Sequence, residues 1–272
     1  MPRLLIPSSN SHSSNIQVLQ DINPQDSIMT YTGLKVVLFH AAAEYSETLT
    51  HYESCIVVLE GKISVSTQDK TFEQIGTRRN IFDKIPTDSV FIPIGQTFSI
   101  KGADSAKVAI CYALASDTSK KAVLIRATEN TVEHRGNYNC QRLVNTMLSD
   151  NSSISDKLLV TEVYTEGGNW SSYPPHKHDT DNLPAESLLE EIYYHEVDKD
   201  SGFVVQKVYT DDLLLDETYT VRNHDVVLVP KGYHPVGVPD GYCSYYLNVM
   251  AGPVKKWKFH MDKNYEFLLN RK

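Results

Sequence analysis

Three histidines and a glutamate are spaced so that they could hold a metal ion. Residues 167–195 read GGNWSSYPPHKHDTDNLPAESLLEEIYYH, and His234 follows a VPKG turn further along. Successive side chains on a strand point to opposite faces, so His176 and His178 present both imidazoles on one side. Pro174 and Pro175 keep the chain extended just before them. An H-x-H pair by itself is more often two surface histidines than a metal site. A carboxylate from the strand-like run EEIYYH and a histidine after a P-x-G turn make the set specific. Three imidazoles and one carboxylate suit Zn, Mn, Fe, Co or Ni and leave positions open for water or substrate. Glu190 and Glu191 compete for the carboxylate place, and only one of two adjacent strand residues can face the ion. Strand parity groups Glu191 with Tyr193 and His195, against Ile192 and Tyr194, and so favours Glu191.

The elements that must position these groups read as strands. Helix signals are sparse, and Pro and Gly separate short runs rich in Val, Ile, Tyr and Leu, as in all-β sandwiches and barrels. The chain has 272 residues, 41% hydrophobic and 22% charged, which places it among globular proteins of one or two domains. Its halves echo one another. HYESCIVVLEGKISV, DSVFIPIGQTFSI and AKVAICYALA in the first half answer to LLEEIYYHEV, HDVVLVPKGYHPV and CSYYLNVMAG in the second. Matching the two P-x-G turns sets Thr97 opposite His234, and the first half offers only His51 where the second has H-x-H. The expectation is a first lobe (1–115) without a metal site, a polar linker (116–151), and a second lobe (152–272) carrying the metal. Within the linker, QRLVNTML suits a short helix or a strand.

The longer strings GGNWSSYPPHKHD, LEEIYYH, QKVYTDD, DVVLVPKGYHPV and YYLNVMAGP are narrower than a general metal motif. With them the chain resembles the 5-deoxy-glucuronate isomerases of myo-inositol catabolism, a branch of the cupin superfamily related to the 5-keto-4-deoxyuronate isomerases. The likeness is dense over 158–257 and thinner at GTRRNIFDKIP and HRGNYNCQR. It implies a bicupin, two tandem antiparallel jelly-roll (double-stranded β-helix) barrels. It also implies that His176, His178, Glu191 and His234 are the ligands of one divalent ion, zinc first among the candidates. Two departures from the general cupin pattern, the long gap from His178 to Glu191 and the lone Tyr233 between Gly232 and His234, are shared by this isomerase family.

The implied reaction converts 5-deoxy-glucuronate to 2-deoxy-5-keto-gluconate. A cation on neighbouring carbonyl and hydroxyl oxygens acidifies the C–H between them, and a base moves the proton to the adjacent carbon. No redox cofactor is required, and neither G-x-G-x-x-G nor G-x-x-x-x-G-K-[ST] occurs. His195, Tyr193 and Tyr246 are the candidates for the proton-transfer group. Gln206, Tyr246 and Asn248 are expected to line the pocket. Arg142 and Arg135, in the segment that matches the family's linker motif, are the first choices for the substrate carboxylate, since a guanidinium binds carboxylate in a bidentate fork. Lys177 and Lys231 are expected to point outward, and Arg78 and Arg79 to serve an interface.

The net charge of −8 and the lack of a basic, aromatic-interleaved stripe argue against nucleic acid. No apolar run is long enough to span a bilayer and no secretory leader is recognisable, so the cytoplasm is expected. Four scattered cysteines without a C-x-x-C pair read as free thiols. An idle first lobe suggests a homo-oligomer. The competing classes are an isomerase of a related uronate such as 5-keto-4-deoxyuronate, a cupin dioxygenase using the same ligands with redox-active iron, and a non-catalytic sugar-binding or storage bicupin, which normally lacks the full ligand set.

Overall fold

The computed structural model describes residues 3–9, 11–13, 15–102 and 104–271. Runs of β-branched and aromatic residues form antiparallel strands, and the described residues contain no α-helix, only five 3-10 helices. Two seven-stranded sheets occupy the middle of the molecule. One runs, in spatial order, Ser11–Ser13, Ile16–Ile22, Thr32–Phe39, Ala106–Leu114, Tyr52–Glu60, Ser89–Ile92 and Val123–Ile125. The other runs Thr131–Arg135, Arg142–Leu148, Leu159–Glu166, Cys243–Ala251, Glu190–Val197, Val226–Val229 and Leu5–Ile6. A four-stranded sheet backs each of them: Ala43–Thr48, Thr97–Gly102, Ile63–Thr67 and Thr71–Ile75 on the first, and Trp170–Ser171, Val236–Gly237, Val204–Tyr209 and Asp216–Val221 on the second.

Three large apolar cores follow from this layering. Alternate residues of one strand enter different cores, which is why the central strands read as unbroken hydrophobic runs. In Tyr52–Glu60, Cys55, Val57 and Leu59 face the core between the two large sheets, while Ile56 and Val58 face the core shared with the small sheet. In Glu190–Val197, Ile192 and Tyr194 face the middle, and Tyr193 and Val197 face the second half's own interior.

Charges that enter the middle are all met across it. Arg78 bonds Glu162 at 2.8 Å and the Tyr164 hydroxyl at 2.7 Å, and Lys107 bonds Glu196 at 2.7 Å. The Glu53 carboxylate accepts the backbone N–H groups of Asp156, Lys157 and Leu158, each at 2.7 Å. Glu190 accepts those of Thr30 at 2.8 Å and Tyr31 at 2.7 Å. These two carboxylates hold equivalent places, Glu53 opposite Ala113 and Glu190 opposite Ala251. Each half thus anchors a loop of the other with charge-assisted bonds.

Two features differ from the sequence reading. The segment expected to be a linker over 116–151 is built into both large sheets, through Val123–Ile125 on one side and Thr131–Arg135 with Arg142–Leu148 on the other, so QRLVNTML is a strand. The pair Leu5–Ile6 crosses over to join Val226 and Val227 of the second half. Both satisfy strand edges that would otherwise be open.

Candidate metal centre and active site

His176 and His178 lie where the chain enters the second half, held by a short pairing of His176–Lys177 with His260–Met261. Glu191 comes from the strand Glu190–Val197, and His234 follows the turn after Val226–Val229. The three imidazoles offer ligand nitrogens within 4.8 Å of one another. Glu191 Oε2 is 3.0 Å from His178 Nε2 and 3.1 Å from His234 Nε2. Among the described residues this is the one group of three or more such donors so placed.

The hydrogen bonds around the rings decide which nitrogens are free. His178 Nδ1 donates to the Leu189 carbonyl at 2.9 Å, and His234 Nδ1 donates to the Gly232 carbonyl at 2.8 Å. With the protons on Nδ1, both Nε2 lone pairs point toward the same carboxylate oxygen. His234 Nε2 is buried without a hydrogen-bond partner. Lone pairs crowded together in a dry interior repel unless a cation lies among them. A divalent ion resolves the conflict, and three imidazoles with one carboxylate are a fitting donor set. Asn248 Nδ2 donates to Glu191 Oε1 and leaves Oε2 to the histidines.

Electrostatics favour an ionised Glu191 beside a neutral His176. Burial alone would raise Glu191, but His234 and His178 outweigh it and hold the group well below the usual carboxylate range. Burial, reinforced by His234 and His178, pushes His176 far down. Burial works to lower His178 too, but Glu191 draws it upward.

At the equivalent places of the first half the structure holds other residues. Glu191 lies opposite Val229 and Met250, and the equivalent place, opposite Ile92 and Tyr112, holds Ser54. Thr97, the counterpart of His234, pairs its hydroxyl with Thr48 at 2.8 Å. His51 is exposed.

A cavity of about 560 Å³ opens over these candidate ligands. His176 and Glu191 line it together with Tyr193, Tyr246, Asn248, Arg142 and Arg135, all expected near the site. The Tyr193 hydroxyl bonds Ser172 at 2.8 Å, and the Tyr193 and Tyr246 rings lie 4.9 Å apart. Arg135 is paired with Glu133 and stacks over Trp257 at 5.9 Å. Arg142 has no carboxylate partner among the described residues, and its bonds go to the carbonyls of Cys140 at 2.8 Å and Tyr173 at 3.4 Å.

Other expectations need correction. His195 and Gln206 do not line the cavity. They bond each other at 2.8 Å, fully buried, and the His195 ring stacks on Tyr193 at 5.8 Å. Burial takes His195 down to about 4 despite the Gln206 bond. Lys231 is exposed, but Lys177 is only 7% exposed, with Asp179 at 2.7 Å and Glu186 at 3.2 Å. Arg78 serves the contact between the two halves, whereas the Arg79 side chain is exposed.

The final stretch of chain was not assigned to the site in the sequence, yet it covers it. Trp257, Phe259, Met261 and Leu269 line the cavity, and the Phe259 ring lies 4.9 Å from that of His176. Large apolar residues interleaved with the charged ones of that tail were the available signal.

Comparison with known proteins sets this geometry in context. The model of the KduI/IolB family matches residues 4–268. A 5-deoxy-glucuronate isomerase of Lacticaseibacillus casei is 56% identical over 259 residues, covering 95% of each chain. The crystal structure of an IolB-like protein from Salmonella typhimurium superposes with a TM-score of 0.93 at 41% identity, covering 98% of this chain and 99% of that one. An oxalate decarboxylase of Lactobacillus farciminis shares the fold, with a TM-score of 0.68 at 10% identity, over 100% of this chain and 91% of its own.

Proposed function

The chain belongs to the KduI/IolB family, and from that membership we propose that it isomerises 5-deoxy-glucuronate to 2-deoxy-5-keto-gluconate. The change is an internal redox shift with no outside oxidant: a proton leaves the hydroxyl-bearing carbon and one is delivered to the neighbouring aldehyde carbon, while the hydroxyl oxygen gives up its proton to become the ketone and the aldehyde oxygen takes one to become the new hydroxyl.

The observation that carries the reading of the site is the shared cavity: an imidazole–carboxylate cluster and a guanidinium bonded only to carbonyls among the described residues, that of Arg142, both face it. Arg142 takes the substrate carboxylate, and Arg135, already neutralised by Glu133, takes a lesser part. His176, His178, Glu191 and His234 hold one divalent ion, zinc in first place. When bound, that ion supplies Lewis acidity toward the substrate's carbonyl and hydroxyl oxygens. Asn248 keeps Glu191 turned toward the histidines. Tyr193 and Tyr246 present their hydroxyls to the reacting end, where they hold or hand over the proton. His195, held by its bond to Gln206, supports both tyrosine rings from behind, and the two act as positioning residues. Trp257, Phe259 and Met261 shield the cavity from water.

The two sheet pairs are read as tandem jelly-roll barrels of a bicupin. Lobes 1–115 and 152–272 are joined through 116–151, and only the second carries a metal site. Free thiols, three of the four buried, suit a reducing compartment, and we place the protein in the cytoplasm as a homo-oligomer. No helix among the described residues is long and apolar enough to cross a membrane.

The test is incubation of the purified protein with 5-deoxy-glucuronate, followed by NMR, before and after metal removal. Conversion to the 5-keto acid, lost on chelation and restored by the ion, is expected. Absence of conversion by metal-loaded protein, or conversion of 5-keto-4-deoxyuronate alone, overturns the reading.

A further inference from the structure

Residues 179–190, which lengthen the gap between the second histidine and the glutamate, fold back as a small hairpin, Asp179–Asn182 with Glu186–Leu188. Its end grips His178 from both sides. The Leu189 N–H donates to the His178 carbonyl at 2.8 Å, and the Leu189 carbonyl accepts the His178 Nδ1 proton at 2.9 Å.

Its beginning reaches the other arm of the site. Asp179 Oδ1 accepts from Lys177 Nζ at 2.7 Å, and Asp179 Oδ2 accepts the Gly232 N–H at 2.8 Å. Gly232 in turn receives the His234 Nδ1 proton on its carbonyl at 2.8 Å. The residue therefore has its N–H tied to Asp179 and its carbonyl tied to a candidate ligand. Gly232 sits at φ +97°, and a Cβ there would lie 2.5 Å from the Tyr209 carbonyl oxygen, so the turn has little freedom of its own. Glu186 closes the arrangement: it accepts the Asp179 N–H at 2.9 Å and Lys177 Nζ at 3.2 Å. Lys177 and Glu186 are both 7% exposed, and Asp179 is half-buried.

We propose that Asp179, braced by Lys177 and Glu186, is a positioning residue that fixes the distance between the His176–His178 segment and the turn carrying His234, and so sets the affinity of the site for its ion. A largely buried ion cluster is costly to build for stability alone. Here it joins two arms of a ligand set that are remote in sequence, as groups hydrogen-bonded behind metal ligands do. This inference rests on the metal-site reading above.

The experiment separates the two. The metal-free protein is titrated with Zn²⁺ against a coloured chelator, comparing the native chain with Asp179→Ala, Asp179→Asn, His178→Ala and Asp216→Ala. The last removes a surface carboxylate that, among the described residues, pairs only with Lys207. Folding of each variant is verified by its thermal transition. Asp179→Ala is expected to weaken Zn²⁺ binding about 10- to 100-fold. Asp179→Asn keeps an oxygen for the Gly232 N–H but loses the charge that holds Lys177. It is expected to fall between the native chain and Asp179→Ala, and it carries the test if the alanine variant does not fold. Native affinity in a folded Asp179 variant, alongside loss of binding in His178→Ala, overturns the positioning role and leaves the metal site standing. Native affinity in His178→Ala overturns the metal-site reading itself.

Discussion

Glu190 and Glu191 are consecutive on one strand and serve opposite sides of it. Glu191 Oε2 lies 3.0 Å and 3.1 Å from the Nε2 atoms of His178 and His234. The Glu190 carboxylate turns into the middle of the molecule and accepts the N–H groups of Thr30 and Tyr31, about 160 residues away in sequence. Two variants separate the roles. Glu191→Gln is expected to fold and to lose its ion. Glu190→Gln keeps one metal per chain but loses about 1–3 kcal/mol of stability, because an amide cannot accept both backbone donors as a carboxylate does. Elemental analysis together with thermal unfolding distinguishes them, and the reverse pattern would exchange the two assignments.

Arg142→Ala acts on substrate binding. A charge-assisted bond to a carboxylate contributes about 1.5–3 kcal/mol, so KM for 5-deoxy-glucuronate is expected to rise about 10- to 100-fold with a smaller change in kcat. Arg135→Ala has a weaker effect, since Glu133 already pairs with that guanidinium. Equal effects of the two, in steady-state kinetics, contradict the assignment.

Acid weakens the contact between the halves in a defined window. Burial would raise Glu196, but Lys107 and the nearby His224 outweigh it and bring the group down from 4.5 to about 2. A carboxylate depressed in the folded state contributes stability above its unfolded value. That contribution is lost as pH falls from about 4.5 toward about 2. It amounts to about 3 kcal/mol at neutral pH by linkage. Denaturant unfolding across this range is expected to show the loss, and Glu196→Gln to flatten it. A variant with an unchanged acid limb refutes the linkage.

Arg78 and Glu162 form a fully buried pair in the middle core, with the Tyr245 hydroxyl also on Glu162 at 3.1 Å. Removing one partner strands the other charge. Glu162→Gln is expected to cost about 3–5 kcal/mol, read as a fall in Tm with metal content unchanged.

The strand character of the chain was legible because alternating apolar runs broken by Pro and Gly report burial directly. Parity on EEIYYH likewise grouped Glu191, Tyr193 and His195. What stayed hidden depends on partners remote in sequence. Arg78 meets Glu162 across 84 residues and Leu5 meets Val227 across the molecule, and no local pattern encodes either pairing. Parity put His195 on the polar face, but depth within the fold is a tertiary property, so it could not reveal that His195 lies behind Tyr193 instead of lining the cavity. From its neighbours in sequence Lys177 reads as a solvent-facing lysine, because its acidic partners come from the hairpin and from Asp211, 3.7 Å away.

The most direct test of the account is anomalous diffraction at a metal absorption edge from crystals of metal-loaded, active protein. The prediction is one peak per chain, about 2.0–2.2 Å from nitrogens of His176, His178 and His234 and from a Glu191 oxygen. An active crystal with no peak there, or with the ion held by other residues, contradicts it.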